Sequence, residues 1–214
     1  MMTTETILKK VMKLNDDGNL DIKAFTELVK DLENDIRDEN NKASGKAKPA
    51  KLAKAILAPG IKRKDALMGS AYTDDNGIKW VVDGYRICGF FEDLDLPEVL
   101  EEDRDRWFKL DNLVNLEYDD EPMELPTVGD LKAAIKIAKA EDKKAAYTFK
   151  YGNTFSAEYL LDFLEGLSNV KVYTQLYNGK LTDVSPIRIE ADNGVGILLG
   201  IKTKTEMPEG INYM

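Results

Sequence analysis

The residues whose spacing most readily does chemistry in this chain are lysines, and the chemistry is charge neutralisation rather than bond making. Lys132, Lys136, Lys139 and Lys143 recur at three- and four-residue steps, which places them on one face of a helix. Upstream, Lys42, Lys46, Lys48, Lys51, Lys54, Lys62, Arg63 and Lys64 form a run of eight bases without an acid. Cations grouped in this way suit a phosphate backbone, whose charge a protein neutralises with Lys and Arg. The candidate nucleic-acid-binding set is therefore Lys46, Lys48, Lys51, Lys54, Lys62, Arg63, Lys64, Lys132, Lys136, Lys139 and Lys143. The competing explanation is a solvated helix face, where lysine favours helix and solubility.

Carboxylates are the other abundant group. Fifteen acids against three bases lie between Glu92 and Asp130, so a net charge of −9 hides two segregated surfaces. Pairs such as Glu101-Glu102 or the run Asp119-Asp120-Glu121 have the chemistry of metal ligands, but a run this dense reads better as a solvated, self-repelling face. The chain has no histidine, which removes Ser-His-Asp and Cys-His nucleophiles, His-ligated zinc and histidine general bases. The single cysteine, Cys88, permits neither an internal disulfide nor a Cys-rich zinc site and reads as a small buried hydrophobe. With no Gly-rich phosphate loop and no nucleophile motif, the expectation is a protein that is not an enzyme and takes no cofactor or metal. One cysteine and no signal peptide fit the cytoplasm, and no apolar run reaches the roughly 20 residues that span a membrane.

The elements that must position these groups follow from periodicity. Residues 4–38 carry two helical stripes, Ile7, Leu8, Val11 and Met12, then Ile22, Phe25, Leu28, Val29, Leu32 and Ile36, joined by a polar turn. That turn resembles a calcium loop only superficially. Lys13 and Ala24 occupy the positions where a carboxylate and a bidentate Glu are needed. Residues 38–50 are small and polar and predict a linker, so the expected domains are 1–45, a helical hairpin with its linker, and 46–214. A helix stopped by Pro59-Gly60 follows, then three strands between Ala66 and Phe91 with turns at Asn76-Gly77 and Asp83-Gly84. A helix is predicted from Thr127 to about Lys139, and a strand from Ala145 to Lys150. Ser156 then caps a second helix that has Phe155 and Leu160 as its staple and ends near Gly166, placed for a left-handed cap. Strands at Val170–Thr174, Ile187–Ala191 and Val195–Ile201 complete the reading, with turns at Asn178-Gly179 and Asp192-Asn193-Gly194 and a tail from Thr203.

One helix-plus-sheet plan thus occurs twice. Val82-Asp83-Gly84-Tyr85-Arg86-Ile87, Phe155-Ser156-Ala157-Glu158-Tyr159-Leu160-Leu161 and Ser185-Pro186-Ile187-Arg188-Ile189 through Gly196-Ile197-Leu198-Leu199 occur in that order. Together they resemble motifs of the bacterial DNA polymerase sliding-clamp family. The resemblance covers roughly residues 50–202. It implies an α+β, DNA-clamp-like fold, with helices packed on one face of antiparallel sheets, to which this chain adds the N-terminal helical hairpin. It further implies a non-catalytic, DNA-associated role in replication, with duplex DNA and replication or other nucleic-acid-processing proteins as partners. Because a ring needs several such units, it implies a homo-oligomer as well. So compact a version suits a phage or mobile element. The alternative reading is an acidic protein-interaction module or inhibitor that docks on a basic partner without binding DNA. The fifteen acids between Glu92 and Asp130 motivate that alternative, while Glu158, Asp162 and Glu165 weigh against encirclement of DNA, because they give the second helix a negative stripe that a DNA-facing helix should avoid.

Overall fold

Side-chain alternation along residues 79–90 sets the architecture. In the computed structural model, which describes residues 11, 22–110, 116–176, 185–203 and 206–214, Val81 pairs with Cys88 and faces one side of a sheet. Val82 pairs with Ile87 and faces the other. Both sides are apolar, so both must be covered.

The chain divides into two compact units, residues 1–47 and 48–214. In the first, helix α1 (Ile22–Ala43) carries the longer predicted stripe. It runs on through 38–43, where a linker was expected, because no Gly or Pro interrupts it before Gly45 and Lys42 in the last turn suits the negative helix end. The expected linker shrinks to a turn at Ser44–Lys46, closed by Gly45 at φ +79° and by the Lys46 N–H donating to Asn41 O. The other arm of the expected hairpin, Val11 apart, and its joining turn lie outside the described residues, as does Asn178-Gly179.

The larger unit is α+β. After α2 (Ala47–Arg63) come β1 (Tyr72–Thr73), β2 (Lys79–Val82) and β3 (Arg86–Phe90), then a 3-10 helix at Glu101–Arg106. Next are α3 (Val128–Ala140), β4 (Ala145–Thr148), β5 (Thr154–Ser156) and α4 (Ala157–Gly166). The strands β6 (Lys171–Thr174), β7 (Ile187–Ala191), β8 (Gly194–Leu198) and β9 (Gly210–Tyr213) close the chain. One antiparallel sheet has the order β1-β2-β3-β8-β7-β6 and a smaller one the order β5-β4-β9. In the larger sheet β3 meets β8 with Cys88 opposite Gly196, and strand order and direction repeat about that pair. The helix-plus-meander plan read from the sequence is therefore present twice, as α2-β1-β2-β3 and α4-β6-β7-β8.

Three helices share one core with one side of this sheet. Leu52, Ile56 and Leu57 of α2, Leu131 and Ala138 of α3, and Leu160 and Phe163 of α4 bury against Val81, Cys88, Phe90, Ile187, Ile189 and Leu198. Two glycines permit the close approach. A Cβ on Gly166 would lie 2.5 Å from the Leu52 Cβ, and one on Gly196 would lie 2.5 Å from the Phe163 ring. Gly166 is thus the last helical residue of α4 rather than the expected left-handed cap, and Asn169 takes the positive φ. On the other side of the sheet, Val99 and Trp107 of the acidic segment cover Trp80, Val82, Ile87 and Ile197. Lys79 pins that segment by donating to Leu94 O at 2.7 Å and pairing with Asp93 and Glu98. Burial pulls the Lys79 pKa down, but its bonds to Glu98 and Asp93 outweigh burial and leave it raised.

Two further expectations give way. The first of the three strands expected between Ala66 and Phe91 is reduced to Tyr72–Thr73, since Asp65 accepts from the Leu67 and Met68 N–H groups and holds that stretch in a turn. The expected tail contains β9, with Ile211 opposite Tyr147 and buried Asn212 bonded to Thr148 Oγ1.

Candidate nucleic-acid interface

The candidate interface begins with a buried arginine. Helix α2 contains Pro59, which the sequence reading made its end. Proline has no N–H to give the carbonyl four residues back, here that of Ala55. Arg86 supplies the missing donor, its Nη2 bonding Ala55 O at 2.9 Å, and α2 continues to Arg63. The same guanidinium pairs with Asp83 at 2.7 Å and with Asp162 of α4 at 2.6 Å, and lies 4.0 Å from the centre of the Tyr159 ring. Asp83 also accepts the Tyr85 and Arg86 N–H groups, which fixes the Asp83-Gly84 turn. One residue thus ties the β2–β3 turn to two helices. Burial raises the Asp162 pKa although Arg86 pulls it down.

α4 lies between the two basic helices, and its acids reach both. Glu165 pairs with Lys51 of α2 at 3.3 Å and with Lys132 of α3 at 2.6 Å. Glu158 pairs with Lys139 of α3 at 2.9 Å. The bond from Lys132 is the main cause that holds the Glu165 pKa below its ordinary value; burial opposes it, and the contacts with Lys51 add to the lowering. Thr127 caps α3 by accepting the Asp130 N–H, and Ser156 caps α4 by accepting that of Tyr159, both as the sequence predicts. The helices are therefore fixed at both the caps and the crossings.

The eleven sequence candidates do not form one cluster. Lys48 and Lys51 line a cavity of about 350 Å³ where α2, α4 and the start of α3 meet, together with Asp162 and Glu165, and Lys132 joins them through its pair with Glu165. Lys62, Arg63 and Lys64 sit at the far end of α2, on the order of 20 Å along the helix from Lys48 at 1.5 Å per residue. Arg63 turns back to Pro59 O and the Met68 sulfur. Lys136 and Lys139 continue along α3, and Lys143, beyond its end, pairs with Glu141. Lys54 is half-buried on α2, and Lys46 belongs to the smaller unit. Among the described residues Lys48, Lys62, Lys64 and Lys136 carry no ion pair.

Sequence reasoning missed Arg86 as an organiser. The Asp83-Gly84-Tyr85-Arg86 motif was visible as a turn and as part of the clamp resemblance, but the ties Arg86 makes were not, since those partners are 31 and 76 residues away. Cys88 is fully buried and its thiol is pushed up by burial, so it offers no thiolate. No helix among the described residues is long and apolar enough to cross a membrane. No protein-family model matches the chain, and no curated protein matches it.

Proposed function

We propose that this protein is a non-catalytic, clamp-like DNA-associated factor that tethers or modulates replication proteins and turns its helical face to the duplex backbone. The pairing of α4's acids with flanking lysines carries this reading. The helical face holds Lys48, Lys51, Lys54, Lys62 and Arg63 on α2 and Lys132, Lys136 and Lys139 on α3, against only Asp130, Glu158, Asp162 and Glu165. Asp162 is taken by Arg86, and the two glutamates by lysines. The stripe that argued against DNA is locally neutralised, which leaves an excess of cations. The doubled helix-plus-meander plan, with the three α-helices of the larger unit on one side, supports the clamp comparison, and the absence of histidine supports a non-catalytic role.

Charge reversal tests the reading. Lys132, Lys136 and Lys139 changed together to Glu abolish duplex binding at low salt. Lys136→Glu alone, which breaks no ion pair, weakens it several-fold at unchanged thermal stability. Wild-type binding that ignores both changes contradicts the reading.

The acidic-module reading is favoured by one observation. The segment around Glu101–Arg106 covers the sheet side opposite the helices, so an acidic docking surface and a cationic one occupy separate faces.

A further inference from the structure

The outer side of the large sheet carries an open cleft of about 580 Å³ between the β1–β2 turn and the segment after the 3-10 helix. That volume is in the range of small-ligand sites and holds two or three side chains. Four aromatic residues line it: Tyr72, Trp80, Trp107 and Phe108. Tyr72 and Trp107 stack with centroids 5.0 Å apart, and Phe108 stands edge-on to Trp107 at 5.3 Å. The shelf is held from below. Asp74 accepts the Trp80 indole N–H at 2.9 Å and two turn N–H groups, while Arg104 donates to Thr73 O and covers one face of Tyr72.

Two features are left unmatched. Asp75 and Asp105 stand exposed on the lining without an ion pair among the described residues, and Lys109 is the one lining cation with none. Trp107 is 5% exposed, and its Nε1–H meets no acceptor among the described residues. An indole N–H buried without a partner costs free energy that an incoming carbonyl recovers.

We infer that this cleft is a docking site for a short basic peptide segment of a partner protein, seated by an apolar or aromatic anchor. Exposed carboxylates beside the half-buried Phe108 ring select cationic side chains, through ion pairing and cation–π attraction. A peptide also brings the carbonyl acceptors that Trp107 lacks, which a bare cation does not. The 3-10 helix beside it points the same way, with Glu101, Glu102, Asp103 and Asp105 against Arg104 and Arg106. That field repels a nucleic acid, so the site is separate from the helical face and stands whether or not that face binds DNA.

The chain's two tryptophans both line the cleft, which gives a direct readout. The intact protein is titrated, by tryptophan fluorescence, with the capped peptide Arg-Leu-Lys-Phe-Arg-Lys and with its counterpart carrying Glu at every basic position. The basic peptide produces a saturable change and shifts one of the two indole N–H resonances, and the acidic one does neither. Asp75→Asn with Asp105→Asn weakens binding at least tenfold, whereas Glu206→Gln with Glu209→Gln leaves it within about twofold. No saturable change with the basic peptide, or equal weakening by the two pairs, overturns the proposal. Equal weakening would reduce the effect to overall acidity.

Discussion

At the scale of single residues, Arg86 does the most. It is 3% exposed and satisfies Asp83, Asp162 and the Ala55 carbonyl that Pro59 leaves open. Arg86→Met should cost about 3–5 kcal/mol in urea unfolding, because Asp83 is left charged and buried. Pro59→Ala restores a backbone donor to Ala55 O, so the same change in that background should cost about 1 kcal/mol less. Identical losses in both backgrounds would disprove the Arg86–Pro59 link. Glu165 sets the second residue-scale expectation. Its carboxylate holds Lys51 and Lys132 in competition with phosphate, so Glu165→Gln frees both. Duplex affinity near 0.1 M salt should rise up to about tenfold, with a salt slope steeper by about one. Protonation frees the same lysines. Because the Glu165 pKa is lowered, that gain on acidification appears only below the ordinary glutamate range. Unchanged or weaker binding by Glu165→Gln would mean that these lysines do not meet the backbone.

At the scale of elements, the crossing of α2 and α4 is fixed by what Gly166 lacks. Gly166→Ala puts a methyl group onto Leu52, and separating the helices should cost about 1–3 kcal/mol, read as a lowered unfolding midpoint. A stability equal to wild type would show that the crossing is loose. The same crossing explains what the sequence could and could not disclose. Caps at Thr127 and Ser156, the β2–β3 turn at Asp83-Gly84 and the β7–β8 hairpin were legible because each depends on residues a few positions apart. Gly166 looked like a cap because its partner, Leu52, is remote in sequence. Pro59 looked like a stop because its remedy comes from Arg86. β9 looked like a tail because Gly210–Tyr213 is a short segment whose place depends on pairing with β4 across the whole second half.

At the scale of the whole molecule, charge is sorted by surface. Lysines lie on the helices of one side of the sheet, and the stretch of the acidic segment around residues 99–110 lies on the other. The sequence disclosed the sorting along the chain. It did not disclose that Glu158, Asp162 and Glu165 are spent on neighbouring cations, a pairing that arises only when α4 enters between α2 and α3. The negative stripe that weighed against DNA in the sequence thereby becomes compatible with it. The most direct measurement is duplex DNA binding by fluorescence anisotropy as salt is raised from 50 to about 200 mM, with wild type beside Lys136→Glu. The account predicts binding at 50 mM salt, a linear fall of log affinity with log salt at a slope near −3 or steeper, and a shallower slope for Lys136→Glu. Absence of binding at 50 mM salt, or binding indifferent to both salt and Lys136→Glu, would contradict it.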